Sequence, residues 1–151
     1  MPDFTVLIDS ISVPLQVGIY NAECCIDRYE IDGQTSAVLL QQMEKIFEQY
    51  SVSRIIYVNG PGSYMAIKLT YIMLQTIKLI RGIEFDGCSA FELNGGNPVR
   101  AMGSLYFIKE KETIITKKFD EKVKQEFWLP DNLSAIVLDT DNKPQYILPA
   151  V

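Results

Sequence analysis

Asn59-Gly60-Pro61-Gly62-Ser63 is the stretch whose residue types most suggest chemistry. It joins an apolar strand-like run to an apolar-rich helical run, so it sits at a helix N-terminus. Backbone N–H groups at such a junction can hold an anion, and glycine lets a phosphate come close. The loop lacks the Gly-Lys-Ser ending of a Walker A motif and the spacing of GxGxxG. Gly60, Pro61, Gly62 and Ser63 therefore read either as an anion cradle or as a tight turn that needs glycine dihedrals. Asp9 closes the first apolar run. A phosphate-holding aspartate at a strand end is followed by a glycine turn, whereas Asp9-Ser10-Ile11-Ser12 has none, and β-branched Ile11 fits such a turn badly. Asp9 also reads as a hydrogen-bonded strand end. Asp131, Asp139 and Asp141 could resemble metal ligands, but they lack EF-hand spacing and lie among the turn residues Asn132, Asn142 and Pro144.

The chain has no histidine, which removes the commonest general base and metal ligand together. Ser-His-Asp and Cys-His machinery cannot be built from this chain alone. The expectation is no catalytic residue, no cofactor and no metal. The formal net charge is −5, and an acidic chain repels phosphate backbones. No direct nucleic-acid contact is expected, so a role in RNA chemistry needs a partner that carries positive charge.

These residues need a scaffold, and 151 residues with 48% hydrophobic side chains can bury one. Residues 4–10 (FTVLIDS) read as a buried strand, and 12–20 and 23–31 complete an antiparallel meander. Pro14 predicts an edge strand or a bulge there. A turn at residues 32–35 leads to a helix over 36–50, capped by Thr35 or Ser36, with apolar residues every three or four positions. Residues 54–58 form a strand, Ser63 caps a second helix ending near Arg81, Gly82 stops it, and 83–85 form a fifth strand. Ser89 caps a short helix, residues 104–109 and 113–119 form a hairpin, and short strands fall at 135–139 and 145–148. Trp128, beside Phe127 and Pro130, reads as packing.

Three strands, helix, strand, helix, strand gives an α/β fold with a mixed sheet, of ribonuclease-H-like (actin and hexokinase) topology. The expected division is residues 1–93 and a reduced C-terminal part, 94–151. Cys24, Cys25 and Cys88 read as reduced thiols. The opening residues lack a signal-peptide pattern, and Lys68 and Lys78 argue against a membrane span, so the expectation is cytoplasmic.

The second helix is the most informative stretch after the loop. Its apolar arc spans roughly 240°, where one core contact needs ~100°. Either the sheet and a neighbouring helix cover the arc, or another chain does. The expected pairing surface is Ala66, Thr70, Met73 and Ile77, with Leu40, Met43 and Phe47 from the first helix.

Leu7-Ile8-Asp9-Ser10 resembles the opening strand of TsaB (YeaZ) family proteins, which usually ends in Asp-Thr-Ser. Residues 60–68 (GPGSYMAIK) resemble that family's Gly-Pro-Gly-Ser-Phe-Thr-Gly-Leu-Arg, and 82–91 resemble its following strand. The match covers about residues 4–93, with Ala66 and Lys68 where the family has glycine and arginine. The resemblance implies a shortened, divergent member. It implies a non-catalytic scaffold that pairs with a TsaD-like catalytic subunit, with a TsaE-like ATPase as third component. That assembly forms threonylcarbamoyl-adenosine next to the tRNA anticodon. It also implies pairing through the two-helix layer, so the chain alone is expected to be a homodimer. The rival readings are a phosphotransferase of the same fold and a self-contained homodimeric binding protein.

Overall fold

The computed structural model describes residues 3–32, 35–139 and 141–145, with the side chains of residues 35–37 left aside. The chain alternates tightly between apolar and turn-forming stretches, and each apolar stretch becomes one element. These are β1 (Phe4–Asp9), β2 (Leu15–Asn21), β3 (Cys24–Ile31), α1 (Thr35–Gln49), β4 (Val52–Gly60), α2 (Tyr64–Arg81) and β5 (Glu84–Ser89). After them come β6 (Val99–Met102), β7 (Leu105–Glu110), β8 (Thr113–Lys118) and the two-residue β9 (Leu138–Asp139).

Among the described residues, one sheet has six strands in the order β3-β2-β1-β4-β5-β9, and a second has three in the order β6-β7-β8. The first three strands form the expected antiparallel meander, while β1, β4 and β5 run parallel. The result is a mixed α/β sheet. Pro14 requires a correction. β2 lies between β3 and β1, so it is no edge strand, and Pro14 stands just before its first residue, where no ladder N–H is lost. The irregularity of β2 falls at Ile19/Tyr20 instead.

Successive residues of β1 feed opposite faces of the large sheet. Val6 and Ile8 enter one cluster with Leu39, Met43 and Ile46 of α1 and Ile67, Leu74 and Ile77 of α2. Both helices therefore cover the same face. Leu7 enters the other cluster, with Tyr20, Ile56 and Val58 of the sheet and Val99, Phe107, Leu129 and Ile136 from beyond position 93. Side-chain alternation along a strand sorts the two sets. Truncating a side chain as buried as Leu74 costs ~2–5 kcal/mol.

Capping sets the limits of α2. Ser63 Oγ accepts from the Ala66 N–H at 3.4 Å, and Gly82, with φ 70°, donates its N–H to the Lys78 carbonyl at 2.9 Å. β5 runs to Ser89 rather than stopping at residue 85, because β4 continues to pair with it through Gly60↔Ser89. The short helix after it is one 3-10 turn, Ala90–Glu92, capped by Ser89 as expected. Of residues 135–139 only Leu138 and Asp139 pair, antiparallel to β5, and Leu133–Ala135 instead form a 3-10 turn under the Asn132 side chain. The expected hairpin is present as β7 and β8, with β6 added beside it. Thr35 and Ser36, the expected caps, fall inside α1 with their side chains left aside, and residues 146–148 of the expected last strand lie outside the described residues.

A segment after β8 ties the second layer down. Gln16 Nε2 donates to the Phe127 carbonyl at 2.8 Å, and Tyr20 Oη to that of Pro130 at 2.7 Å. The backbone then pairs with the start of β3, with Cys25 N–H to Asp131 O at 2.9 Å and Leu133 N–H to Glu23 O at 2.8 Å. No helix among the described residues is long and apolar enough to cross a membrane.

Candidate functional site

The glycine loop and Asp9 meet at the C-terminal ends of β1 and β4, where a parallel sheet usually offers a ligand site. The glycines themselves are packed by this chain's own atoms, beside a cleft that Ile11, Gly62 and Ser63 help to line. A Cβ on Gly62 would lie 2.9 Å from Cγ2 of Ile11, so a side chain there has no room. Gly60 has φ 129°, and a Cβ there would lie 2.6 Å from the Gln145 carbonyl oxygen. Both glycines are required by close approach of this chain's own atoms, which is the tight-turn reading. Gly60 belongs to β4 rather than to the loop.

Asp9 is fully buried. Its Oδ1 accepts from the N–H groups of Ile11 and Ser12, both at 3.2 Å, as a hydrogen-bonded strand end. Burial pushes its carboxyl up from 3.8 to about 6, against the opposing pull of those two amides. Its Oδ2 has no hydrogen-bond partner among the described residues.

The three aspartates considered as metal ligands serve separate local roles. Asp131 pairs with Arg28, Asp139 accepts from Asn59 Nδ2 at 2.8 Å, and Asp141 accepts from the Lys143 N–H at 3.0 Å. Among the described residues, no three His, Cys, Asp or Glu side chains are grouped to hold a metal. The three cysteines are free thiols, and burial pushes that of Cys88 up.

The two helices leave a groove on their outer side, about 400 Å³ in volume. Leu40 and Phe47 of α1 face Leu69, Ile72, Met73 and Ile80 of α2 across it, with Leu39 and Ile77 beneath. Leu40 is 47% exposed, Ile72 48% and Ile80 76%. Glu44 and Arg81 stand at the rim, with the Arg81 guanidinium 4.2 Å from the centre of the Phe47 ring.

This places the expected pairing residues in two groups. Leu40, Phe47 and Met73 line the groove, and Ile77 forms part of its floor. Met43, Ala66 and Thr70 are corrected: they are buried inside the chain, so no partner can touch their side chains. Thr70 is 0% exposed and donates Oγ1 to the Ala66 carbonyl at 2.8 Å. The open face of α2 was missed: Met65, Leu69, Ile72, Thr76 and Ile80 recur at four, three, four and four residues, an ordinary helical stripe. The signal was present in the spacing, but the inner stripe Ile67, Thr70, Leu74 and Ile77 repeats in the same way. Tyr71 turns inward to stack on Tyr57 and meet Phe85 edge-on, and Gln75 Nε2 donates to its hydroxyl at 2.7 Å.

No family model and no curated protein matches the chain. Solved structures do match it in shape. YeaZ from Pseudomonas aeruginosa aligns with a TM-score of 0.59 and 9% identity, over 82% of this chain and 72% of that one. An uncharacterized protein with similarity to peptidase YEAZ from Pseudomonas aeruginosa aligns with a TM-score of 0.56 and 10% identity, over 82% and 71%. At such identities the likeness is one of backbone architecture, and on that ground the chain has the fold of the YeaZ proteins.

Proposed function

We propose that the chain is a non-catalytic scaffold subunit with a ribonuclease-H-like core. It pairs with a TsaD-like catalytic subunit and acts with a TsaE-like ATPase in forming threonylcarbamoyl-adenosine in tRNA. The observation that carries the pairing is the α1/α2 groove, where Leu40, Ile72 and Ile80 hold apolar surface open to water. Covering such surface stabilises a complex by ~25 cal/mol per Å², less the cost of association. The YeaZ-type fold and the match of residues 60–68 support the tRNA-modification context. The absence of histidine and the packing of Ile11 against Gly62 support the non-catalytic part. Without its partner the same groove pairs two copies of the chain.

The test is to mix the purified chain with a TsaD-like subunit and measure the complex by calorimetry and light scattering. A one-to-one complex that Ile72→Arg abolishes is expected. Reconstituted tRNA modification should require the chain, and the chain alone should turn nothing over. A wild-type chain that forms no complex, or modification at full rate without it, would refute the proposal.

A further inference from the structure

The net charge of −5 conceals a division between two parts of the chain. Residues 99–125, which hold β6, β7, β8 and the segment after them, carry seven Lys or Arg against four Asp or Glu, a local +3. The other seven cations and fifteen carboxylates leave −8 on the rest. All seven cations of the small sheet region are exposed. Among the described residues only one of them, Lys124, forms an ion pair, with Glu126. Among the described residues, Arg100 of β6, Lys109 of β7 and Lys117 and Lys118 of β8 make no ion pair.

A cleft of about 990 Å³ opens beside this sheet, between β6, the β1–β2 connection and the start of α2. Arg100 lines it, and so does Trp128, the chain's one tryptophan, 51% exposed. Met65 and Met102, the latter 68% exposed, add soft apolar surface to the rim. An open indole beside Arg100, in a cleft whose one carboxylate, Glu126, is paired with Lys124, matches the chemistry of an unpaired nucleotide, with a flat base and a phosphate.

We infer that the small sheet and its cleft form a contact for single-stranded RNA. One base stacks on Trp128, and phosphates meet Arg100 and Lys117, which share a face of the small sheet across Tyr106. Stacking accepts any base, and the cations follow the backbone, so the contact reads shape and charge rather than sequence. The choice of RNA over another polyanion rests on the tRNA role proposed above. The −8 on the rest of the chain keeps the contact weak in isolation, so it assists a partner that holds the RNA.

Trp128 is its own reporter. The full chain is titrated with a 12-nucleotide oligo(U) in 20 mM salt, following tryptophan fluorescence and the anisotropy of end-labelled RNA. Saturable quenching is expected, with binding about 25-fold weaker at 200 mM salt for some two phosphate contacts. Arg100→Glu and Lys117→Glu should each weaken binding about tenfold with an unchanged melting temperature. Lys45→Glu, the same charge change on α1, should alter it twofold at most. Trp128→Leu should weaken binding at least fivefold by anisotropy, the loss of one stacked base. Absence of quenching at 20 mM salt overturns the inference, as does equal loss with Lys45→Glu. Polyglutamate that binds as tightly and quenches as fully overturns it too, because charge alone would then explain the signal. Pairing through α1 and α2 is measured separately, so a chain that binds oligo(U) but no TsaD-like subunit refutes the scaffold role and leaves this contact standing.

Discussion

Ile72→Arg and Thr70→Arg place the same charge two residues apart on α2, with opposite expected outcomes. Thr70 is fully buried, and its hydroxyl is held by the Ala66 carbonyl. An arginine there must desolvate a guanidinium without a counter-charge, at several kcal/mol, and overpack the helix–sheet contact by a further ~1–3 kcal/mol. Against a whole-domain stability of ~5–15 kcal/mol, a loss of ~5 kcal/mol or more lowers the melting temperature by about 10–20 °C or leaves no cooperative fold. Ile72 is half exposed, so losing its contacts costs ~1 kcal/mol, and arginine is the better helix former. Its melting temperature should move by no more than about 4 °C. In the paired state, however, the same guanidinium is buried and unpaired, which costs ~3–5 kcal/mol and weakens association at least 100-fold. Calorimetric melting of each variant, with light scattering and titration against a TsaD-like subunit, reads both effects. If Ile72→Arg pairs as tightly as the parent, the groove is not the pairing surface. If Thr70→Arg melts like the parent, the assignment of inner and outer faces is wrong.

Gly62→Ala should destabilise the chain by ~1–3 kcal/mol in denaturant unfolding, because the new methyl meets Ile11, and Ile11→Ala should restore part of the loss. Unchanged stability in Gly62→Ala would mean that the glycine is not required by packing. Asp9, raised from 3.8 to about 6 in the folded chain, favours the fold only in its protonated form. Its contribution is neutral below pH 4 and grows to ~3 kcal/mol of destabilisation above pH 6. Unfolding free energies of the parent and Asp9→Asn, taken at pH 4 and pH 7, should therefore diverge by about that amount, and parallel profiles would contradict the burial argument. The isolated chain should hydrolyse no ATP, and a turnover that follows the protein through every column and disappears with Asp9→Ala would restore the phosphotransferase reading. At physiological salt, sub-micromolar chain should not shift tRNA in a gel, since the net charge is −5. A discrete shifted band would contradict this.

The elements whose identity depends on local chemistry were legible. Ser63, Gly82 and Ser89 act on their own helix ends, so the caps could be read from residue type and position. The meander could be read because each strand pairs with its sequence neighbour. What depends on distant residues was not legible. Pro14 could be assigned to an edge only by knowing that β3 lies outside β2. β9 takes its two-residue length from β5, some fifty positions earlier, not from its own sequence. The wide apolar arc of α2 was a sound reading of composition, but which third of it faces water is decided by where the sheet and α1 lie. Thr70, polar and short, looked like an outer residue, yet its hydroxyl is satisfied within its own helix and so can be buried. Whole-chain charge hid the basic small sheet, because an average over 151 residues erases a local sign.

The glycine loop and the two surfaces are linked through α2. Ile11 packs against Gly62 and Ser63 caps the helix that follows, so the loop gives α2 a fixed start. Met65, near that start, lines the cleft beside the basic sheet, and Ile80, near the other end, lines the groove between the helices. Fifteen residues of helix separate the two by ~22 Å. A protein seated in the groove therefore leaves the cleft uncovered at the far end of the same helix, unless it extends along the whole of α2. Under the two proposals, the helix would set where an RNA strand at Trp128 lies relative to a partner in the groove.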